Sequence, residues 1–243
     1  MNRHIAECAL YLLSAVLFCA GCAQRADVKS GDDIVGQARA EGDSTVYALT
    51  AAGSNDSILV FLTLPYDGAD PDTVNILEAF RRHQVFGRPE VGDNVAIFLN
   101  DSDASVAERV IVTEQLTGTW CYEVYPTLRR QTGEEPLPPR LQQMLQEPRE
   151  YSMVMKSSGA MHDTGSNSRR QADDQLPVVY PRAKNYGQWA IFNGRLVLSE
   201  VKRDTTDAVT VVSTDTACFV SMRRDTLILR FSDGDRLFYR KQN

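Results

Sequence analysis

The feature that most constrains the fold is a series of short segments in the C-terminal half of the chain in which apolar and polar residues alternate. The first of them begins at Gly118, two residues before a tryptophan. Alternation along a strand places Trp120, Tyr122 and Val124 on one face. A glycine lets the backbone turn at this point, and an indole is large enough to fill the end of a core. The pattern therefore predicts a β-strand that buries its tryptophan.

The same alternation recurs at close spacing through the rest of the chain. Asn193-Gly194 is a strong signal for a tight, two-residue hairpin turn of type I′. Further strands are predicted at 151–156, 160–163, 186–192, 195–201, 209–213, 217–222, 225–231 and 236–240. Because local turns join these strands, the series favours an up-and-down antiparallel β-barrel, whose closure removes exposed sheet edges.

A short helix is predicted between the first and second strands of this series. A proline-rich stretch leads into residues 140–146, where Leu141, Met144 and Leu145 recur at helical spacing. A helix this short needs a surface to lie on. Two placements remain open: over the mouth of the barrel, or against its outer wall.

Residues 42–114 are predicted to form a separate, small β-rich domain. Strands at 45–49 and 57–62 flank a cluster of turn residues, and further strands follow within 91–99 and 106–112. One short helix is expected from about residue 70, because Val74, Leu77 and Phe80 recur at helical spacing and Asp72 can cap the first turn. The arrangement is loosely similar to OB-fold or SH3-like modules. Such a domain would bind a partner or act as a spacer.

The N-terminal residues 1–22 have the features of a bacterial lipoprotein signal peptide. An apolar run too short to span a bilayer ends at Cys19-Ala20-Gly21-Cys22, which resembles a lipobox. In that motif the last cysteine is acylated and becomes the new N-terminus. The prediction is lipidation at Cys22, followed by a flexible tether over residues 23–41. We expect the protein to be in the cell envelope, anchored by its lipid to a bacterial membrane, with the outer membrane favoured. Whether it faces the periplasm or the exterior is left open.

Composition and motifs argue against several functional classes. The net charge of −6 and the isoelectric point near 5.2 disfavour nucleic-acid binding, which needs a concentrated basic face. The sequence shows no catalytic motif, no metal-spaced cluster and no phosphate-binding glycine loop, so we expect a protein that is not an enzyme and uses no cofactor or metal. Only Cys121 and Cys218 remain beyond the anchor, and whether they pair is left open.

Residues 115–243 resemble the lipocalin-like domain of bacterial lipoproteins. The resemblance rests on Leu116-Thr117-Gly118-Thr119-Trp120, on residues 189–198 and on residues 225–229 followed by 237–240. It implies that Gly118 and Trp120 lie at the barrel floor under an arginine of the last strand, for which Arg240 and Arg236 are both candidates. It also implies a pocket, although a barrel of this size can be filled by its own side chains.

Alternation selects the residues that would form the wall of such a pocket. For each of them a place in a plain core is favoured over contact with a ligand. They are Tyr122, Tyr151, Met153, Met155, Leu227, Leu229 and Phe231.

Two functions follow from these expectations. The first is an envelope lipoprotein that binds a small apolar or amphipathic ligand in its barrel. The alternative is a structural or interaction lipoprotein with a solid barrel, whose N-terminal β module binds an envelope partner of unknown identity.

Overall fold

The computed structural model describes residues 41–129, 136–164, 177–181, 183–203 and 209–241. These residues belong to one compact unit and are mainly β. The predicted signal peptide, Cys22 and nearly all of the tether lie outside the described residues. Within the described ranges, no helix has both the length and the hydropathy needed to cross a membrane.

The N-terminal part of the structure is a six-stranded mixed sheet with one short helix, α1, at Leu77–Arg81. The strand order is β3-β2-β1-β5-β6-β4, and only the β4–β6 pair is parallel. A bridge between Asn75 and Val106 brings the end of β3 towards β6, so the sheet curls. Its strands are β1 (Val46–Thr50), β2 (Ile58–Thr63), β3 (Asp72–Asn75), β4 (Val85–Phe86), β5 (Asn94–Leu99) and β6 (Ala107–Val112).

The prediction of a helix that begins near Asp72 is wrong for its first turn. Residues Asp72–Asn75 form β3, which pairs with β2 and places Val74 opposite Leu59. Both side chains are buried, because the strand turns Val74 into the core. The helix itself is α1, so pairing with β2 overrides the helical spacing over these four residues.

The C-terminal part is an eight-stranded antiparallel sheet with the order β10-β9-β7-β16-β15-β14-β13-β12. A short 3-10 helix at Glu114–Leu116 leads into it, and the helix α2 (Pro139–Leu145) follows its first strand. A separate two-stranded ribbon pairs β8 with β11. The strands are β7 (Gly118–Val124), β8 (Thr127–Leu128), β9 (Arg149–Met155), β10 (Met161–Thr164), β11 (Val178–Val179), β12 (Tyr186–Phe192), β13 (Arg195–Arg203), β14 (Val209–Arg223), β15 (Thr226–Phe231) and β16 (Gly234–Arg240).

This sheet is nearly closed into a barrel. Its chain order is up-and-down, and the last strand, β16, returns to pair with β7. The two ends of the sheet, β10 and β12, meet through a bridge between Ala160 and Gln188. The backbone N–H of Trp189 extends this contact by donating a hydrogen bond of 2.8 Å to the Gly159 carbonyl. Local pairing throughout and near-closure agree with the barrel predicted from the strand spacing.

Two details of the barrel strands bear on the prediction. The turn at Asn193 and Gly194 has φ values of 47° and 68°, the positive sign at both positions that a type I′ turn requires. The two short strands predicted at 209–213 and 217–222 are instead one continuous strand, β14. Thr216 in the expected gap pairs with Val197 on β13, so the ladder carries the strand through the polar stretch.

The two ends of the barrel differ in content. We call the end where β7 begins and β16 finishes the floor, and the opposite end the mouth. The floor half is filled by large buried side chains, so it is a solid core. They are Trp120, Met153, Met155, Trp189, Ile191, Leu196, Leu198, Leu227 and Leu229.

The N-terminal sheet packs against the floor. The Phe86 and Phe219 rings lie 5.2 Å apart between centroids, and the Tyr47 hydroxyl donates a hydrogen bond of 2.6 Å to the Ile191 carbonyl. The hairpin between β12 and β13 reaches out to the same sheet, where Arg109 donates to the Gly194 carbonyl at 2.8 Å. The sheet therefore covers the floor and leaves the mouth as the accessible end.

Candidate ligand-binding site

The floor is built on a contact between Trp120 and Arg240. The Trp120 ring is fully buried, and its indole N–H donates to the Leu116 carbonyl at 2.8 Å. The guanidinium carbon of Arg240 lies 4.0 Å from the centroid of this ring, which is a cation–π geometry. Arg236 lies elsewhere, over the ring of Phe231 at 4.6 Å.

Arg240 also ties the start of β7 to the end of the barrel. Its guanidinium donates to the carbonyls of Thr117 and Gln115, the latter at 2.5 Å, and more weakly to that of Arg224 at 3.3 Å. Burial lowers the pKa of Arg240. The charge is held by carbonyl dipoles and the face of an indole, so the floor is fixed rather than open.

Gly118 leaves room for this arginine. Its φ of +112° is a conformation that side chains rarely adopt, and a Cβ there would collide with the Arg240 guanidinium. Glycine is thus favoured two residues before the tryptophan for two reasons: the backbone conformation at this position and the close approach of the Arg240 guanidinium.

The mouth half of the barrel contains a cavity of about 800 Å³. Such a volume lies within the range of about 300–1,000 Å³ that is typical of small-molecule sites. Its lining is rich in aromatic side chains and also carries several charges. Representative lining residues are Tyr122, Glu123, Tyr125, Tyr151, Lys184, Tyr186, Asp215, Phe231, Asp233, Asp235, Arg236, Leu237 and Tyr239.

Aromatic rings separate this cavity from the solid floor. Tyr122 contacts Tyr151 edge-on, with ring centroids 5.8 Å apart, and packs against Phe238 at 5.2 Å. These side chains come from β7, β9 and β16, three adjacent strands, because inward positions on neighbouring strands lie at the same level. The ring layer gives the cavity an apolar base.

Four charged groups of the lining form two ion pairs. Asp215 binds the Lys184 ammonium at 2.5 Å and accepts a hydrogen bond from the Tyr186 hydroxyl. Asp233 binds Arg236 at 2.6 Å. The hydrogen bonds from Lys184 and Tyr186 lower the pKa of Asp215, while burial and the hydrogen bond to Asp215 raise the pKa of Tyr186.

Tyr122 supplies a hydroxyl to the cavity. Within the part of the chain that the structure describes, this hydroxyl makes no hydrogen bond to another residue. Burial is the main cause that raises the pKa of Tyr122, so the phenol stays protonated and can donate. The neighbouring Tyr151 hydroxyl already donates to the Pro181 carbonyl at 3.0 Å.

A strap at residues 177–181 borders the mouth. Its Val178 and Val179 pair with β8, and Tyr180 lies under the Arg149 guanidinium at 3.7 Å. The Tyr180 hydroxyl donates to the Glu147 carbonyl at 2.8 Å. The helix α2 lies beside β11, so it joins this strap at the rim. The strap and α2 therefore meet at the rim, next to the start of β9.

The sequence-predicted wall residues divide between the cavity and the core. Tyr122, Tyr151 and Phe231 line the cavity. The other four, Met153, Met155, Leu227 and Leu229, lie in the buried core below it. Alternation identified inward positions on each strand but contains no signal for depth along the barrel.

The polar part of the cavity was missed by the sequence analysis. Lys184, Tyr186, Asp215 and Arg236 come from three separate segments, and none belongs to a motif. Alternation along the strands could have found two of them. Asp215 lies two residues from Ala217, and Arg236 two residues from Phe238, so each shares a strand face with a buried residue. Polar residues at inward positions near strand ends are therefore candidates for a cavity mouth.

The two cysteines and the possible metal ligands were also considered as sites from the sequence. Cys121 and Cys218 are both free thiols in the structure. Among the described residues, no group of three or more His, Cys, Asp or Glu side chains is placed to hold a metal ion.

Comparison with protein-family models, with curated proteins and with solved structures found no match for this chain.

Proposed function

We propose that this protein is a lipocalin-like envelope lipoprotein that binds a small amphipathic molecule in the mouth of its barrel. The observation that carries the proposal is the cavity of about 800 Å³ above a filled floor. Aromatic faces at its base suit an apolar group, and charged and hydroxyl groups at its rim suit a polar one. The expected role is binding rather than catalysis.

The chemistry of the rim favours a ligand with a hydrogen-bond acceptor. The Tyr122 hydroxyl is available as a donor, and the Arg236 charge is close enough to influence the phenol. A carboxylate, phosphate or carbonyl oxygen could accept from both groups. Lys184 and Arg236 each bind an aspartate already, Asp215 and Asp233, so a ligand oxygen would share these cations with the two carboxylates.

The contact between Trp120 and Arg240 supports the lipocalin-like part of the proposal. It has the geometry that the resemblance implies, with Gly118 beneath the guanidinium. The envelope location rests on the sequence around Cys22. Labelling cells with a radioactive fatty acid tests it, since the Cys22→Ala variant should lose a label that the wild-type chain carries.

The binding proposal is tested by native mass spectrometry and lipid extraction of the purified protein. Ala183 lines the cavity, so Ala183→Trp places an indole in the binding space. Ala52→Trp is the matched control, because Ala52 is exposed in a turn of the N-terminal sheet. We expect a co-purifying small molecule with wild type and with Ala52→Trp, and its loss with Ala183→Trp.

A wild-type protein that carries no small molecule and takes up none from a lipid extract would contradict the proposal. Equal occupancy of Ala183→Trp and wild type would place the bound molecule outside the mouth cavity and would contradict it as well. Thermal unfolding of each variant shows whether lost occupancy reflects lost folding.

A further inference from the structure

The wall of the barrel is incomplete between β7 and β16. These strands pair at two positions, Tyr239 with Cys121 and Arg240 with Trp120, both at the floor end. On its other side, β7 pairs with β9 at every position from Gly118 to Val124. The same register continued upwards would pair Leu237 with Glu123, but these two described residues do not pair. The two strands therefore separate towards the mouth.

The lining of the cavity includes residues on both sides of this separation. Tyr122 and Arg236 point into the barrel, whereas Glu123 and Leu237 occupy the alternate, outward positions of the same two strands. All four line the same cavity. The cavity therefore reaches the edges of β7 and β16 along the stretch where the two strands are not paired. We call this unpaired stretch the slit.

The surfaces around the slit are partly apolar. At its lower end the rings of Tyr122 and Phe238 pack at 5.2 Å and close the wall. At its outer edges Tyr125 and Leu237 are 53% and 56% exposed. Apolar side chains thus lie at the lower end and at the outer edges of the slit, and Glu123 and Arg236 border it as well.

We infer that the binding site continues through the slit, and that its ligand is a single-chain amphiphile whose polar group lies in the mouth and whose alkyl chain leaves between β7 and β16. This inference rests on the proposed function and specifies the class of ligand. Each methylene that is removed from water adds to the binding free energy. With an open wall, this gain continues for chains that are longer than the cavity itself can hold. A site closed at the wall would reject longer chains.

The test is isothermal titration calorimetry of the full chain with two series of straight-chain amphiphiles below their micelle concentrations. One series runs from hexanoate to hexadecanoate and the other consists of alkyltrimethylammonium ions of matching length, so head-group charge is separated from chain length. In the preferred series we expect affinity to rise about three- to fourfold for each methylene up to the longest chains.

The critical variant is Leu237→Asp, which puts a charge at the outer edge of the slit. It should weaken binding of the longest chains at least about tenfold more than it changes binding of the six-carbon probe with the same head group. Val211→Asp is the control, because Val211 is similarly exposed, at 51%, and lies on β14, away from the slit. It should bind every probe as wild type does.

The outcomes separate this inference from the proposed function. If no probe of either series binds the wild-type protein, the inference is overturned, whereas the proposed function stands as long as the wild-type protein carries a small molecule that Ala183→Trp has lost. If probes bind but affinity stops rising at a short chain length, or Leu237→Asp binds long chains as wild type does, the cavity is a binding site without a slit. Equal weakening of short and long chains by Leu237→Asp would also overturn the inference.

Discussion

The guanidinium of Arg240 lies over the face of Trp120 at 4.0 Å and at the same time donates hydrogen bonds to the carbonyls of Thr117 and Gln115. One side chain from the last strand thus holds both the ring and the backbone at the start of the first strand. Because β7 and β16 pair at only two positions, this side chain supplies much of the connection that closes the barrel at its floor.

Replacing Arg240 should therefore destabilise the whole barrel. We expect Arg240→Ala to lower the free energy of unfolding by about 2–4 kcal/mol, because it removes a cation–π contact and leaves partly buried carbonyls without donors. Arg240→Lys keeps the charge but not the forked geometry, so its loss should be intermediate. Urea unfolding measures both.

Arg236→Ala is the control for that series, since Arg236 lies over Phe231 near the mouth and is 42% exposed. Its expected loss is at most about 1 kcal/mol. Equal losses at the two arginines would contradict a special role for the contact at the floor.

Gly118 gives a second prediction about the same contact. Gly118→Ala should destabilise the protein because of its positive φ and because the added methyl group meets the Arg240 guanidinium. Gly234→Ala is a matched control: its φ is +131°, but a Cβ there would meet nothing within 4 Å. We expect the Gly118 variant to lose about 1–2 kcal/mol more than the control, measured by urea unfolding. Similar losses would show that only the backbone conformation matters.

The floor contact and the hairpin turn illustrate what can be predicted from the sequence. A Gly-x-Trp at the start of a strand and an Asn-Gly between two alternating segments are local signals with a direct physical cause. These signals are enough to place Gly118 and Trp120 at the start of a buried strand and to locate the β12–β13 turn. Strand periodicity also identifies the barrel, because up-and-down pairing is local along the chain.

Features that depend on long-range pairing cannot be predicted in this way. The spacing of Val74 predicts a helix, but pairing with β2 places this residue in a strand. The site residues Asp215 and Arg236 carry no local signal, because their meeting at the mouth depends on the barrel register. The slit is a further case, since nothing in the sequences of β7 and β16 shows where their pairing stops.

Asn193 makes a third prediction, about the contact between the two sheets. Its side-chain oxygen accepts hydrogen bonds from the backbone N–H and the hydroxyl of Ser44, each at 2.9 Å, and its own backbone N–H donates to Asp43 at 3.1 Å. Asn193→Ala removes the side-chain contacts and puts alanine at a positive φ. We expect a loss of about 1–3 kcal/mol in the free energy of unfolding.

Asn193→Gly separates the two causes, because glycine adopts the positive φ without strain but has no side-chain oxygen to accept the hydrogen bonds from Ser44. It should lose less stability than Asn193→Ala but remain less stable than wild type. A glycine variant as stable as wild type would show that the side-chain contacts to Ser44 contribute nothing.

The two cysteines should differ in reactivity. Cys121 is completely buried, and burial, followed by the charge of Glu150, raises the pKa of its thiol. Cys218 is half-buried and on β14. Because the thiolate is the reactive form, we expect iodoacetamide to modify Cys218 well before Cys121 in the folded protein, with equal rates in urea. Peptide mass spectrometry measures each site separately, and faster labelling of Cys121 in the folded state would contradict its burial.

Asp215 links stability to pH through the polar side of the cavity. Hydrogen bonds from Lys184 and Tyr186 lower its pKa below the ordinary value of 3.8 in the folded state. A carboxylate with a lowered folded pKa stabilises the protein above its unfolded pKa, and this contribution is lost as pH falls through the folded pKa. Asp215→Asn should therefore cost stability near neutral pH, and the difference from wild type should shrink below about pH 4. Urea unfolding across that range, with the exposed Asp101→Asn as control, measures the difference. A gap between Asp215→Asn and wild type that stayed constant down to the acid limit of folding would mean that the charge on Asp215 does not stabilise the mouth.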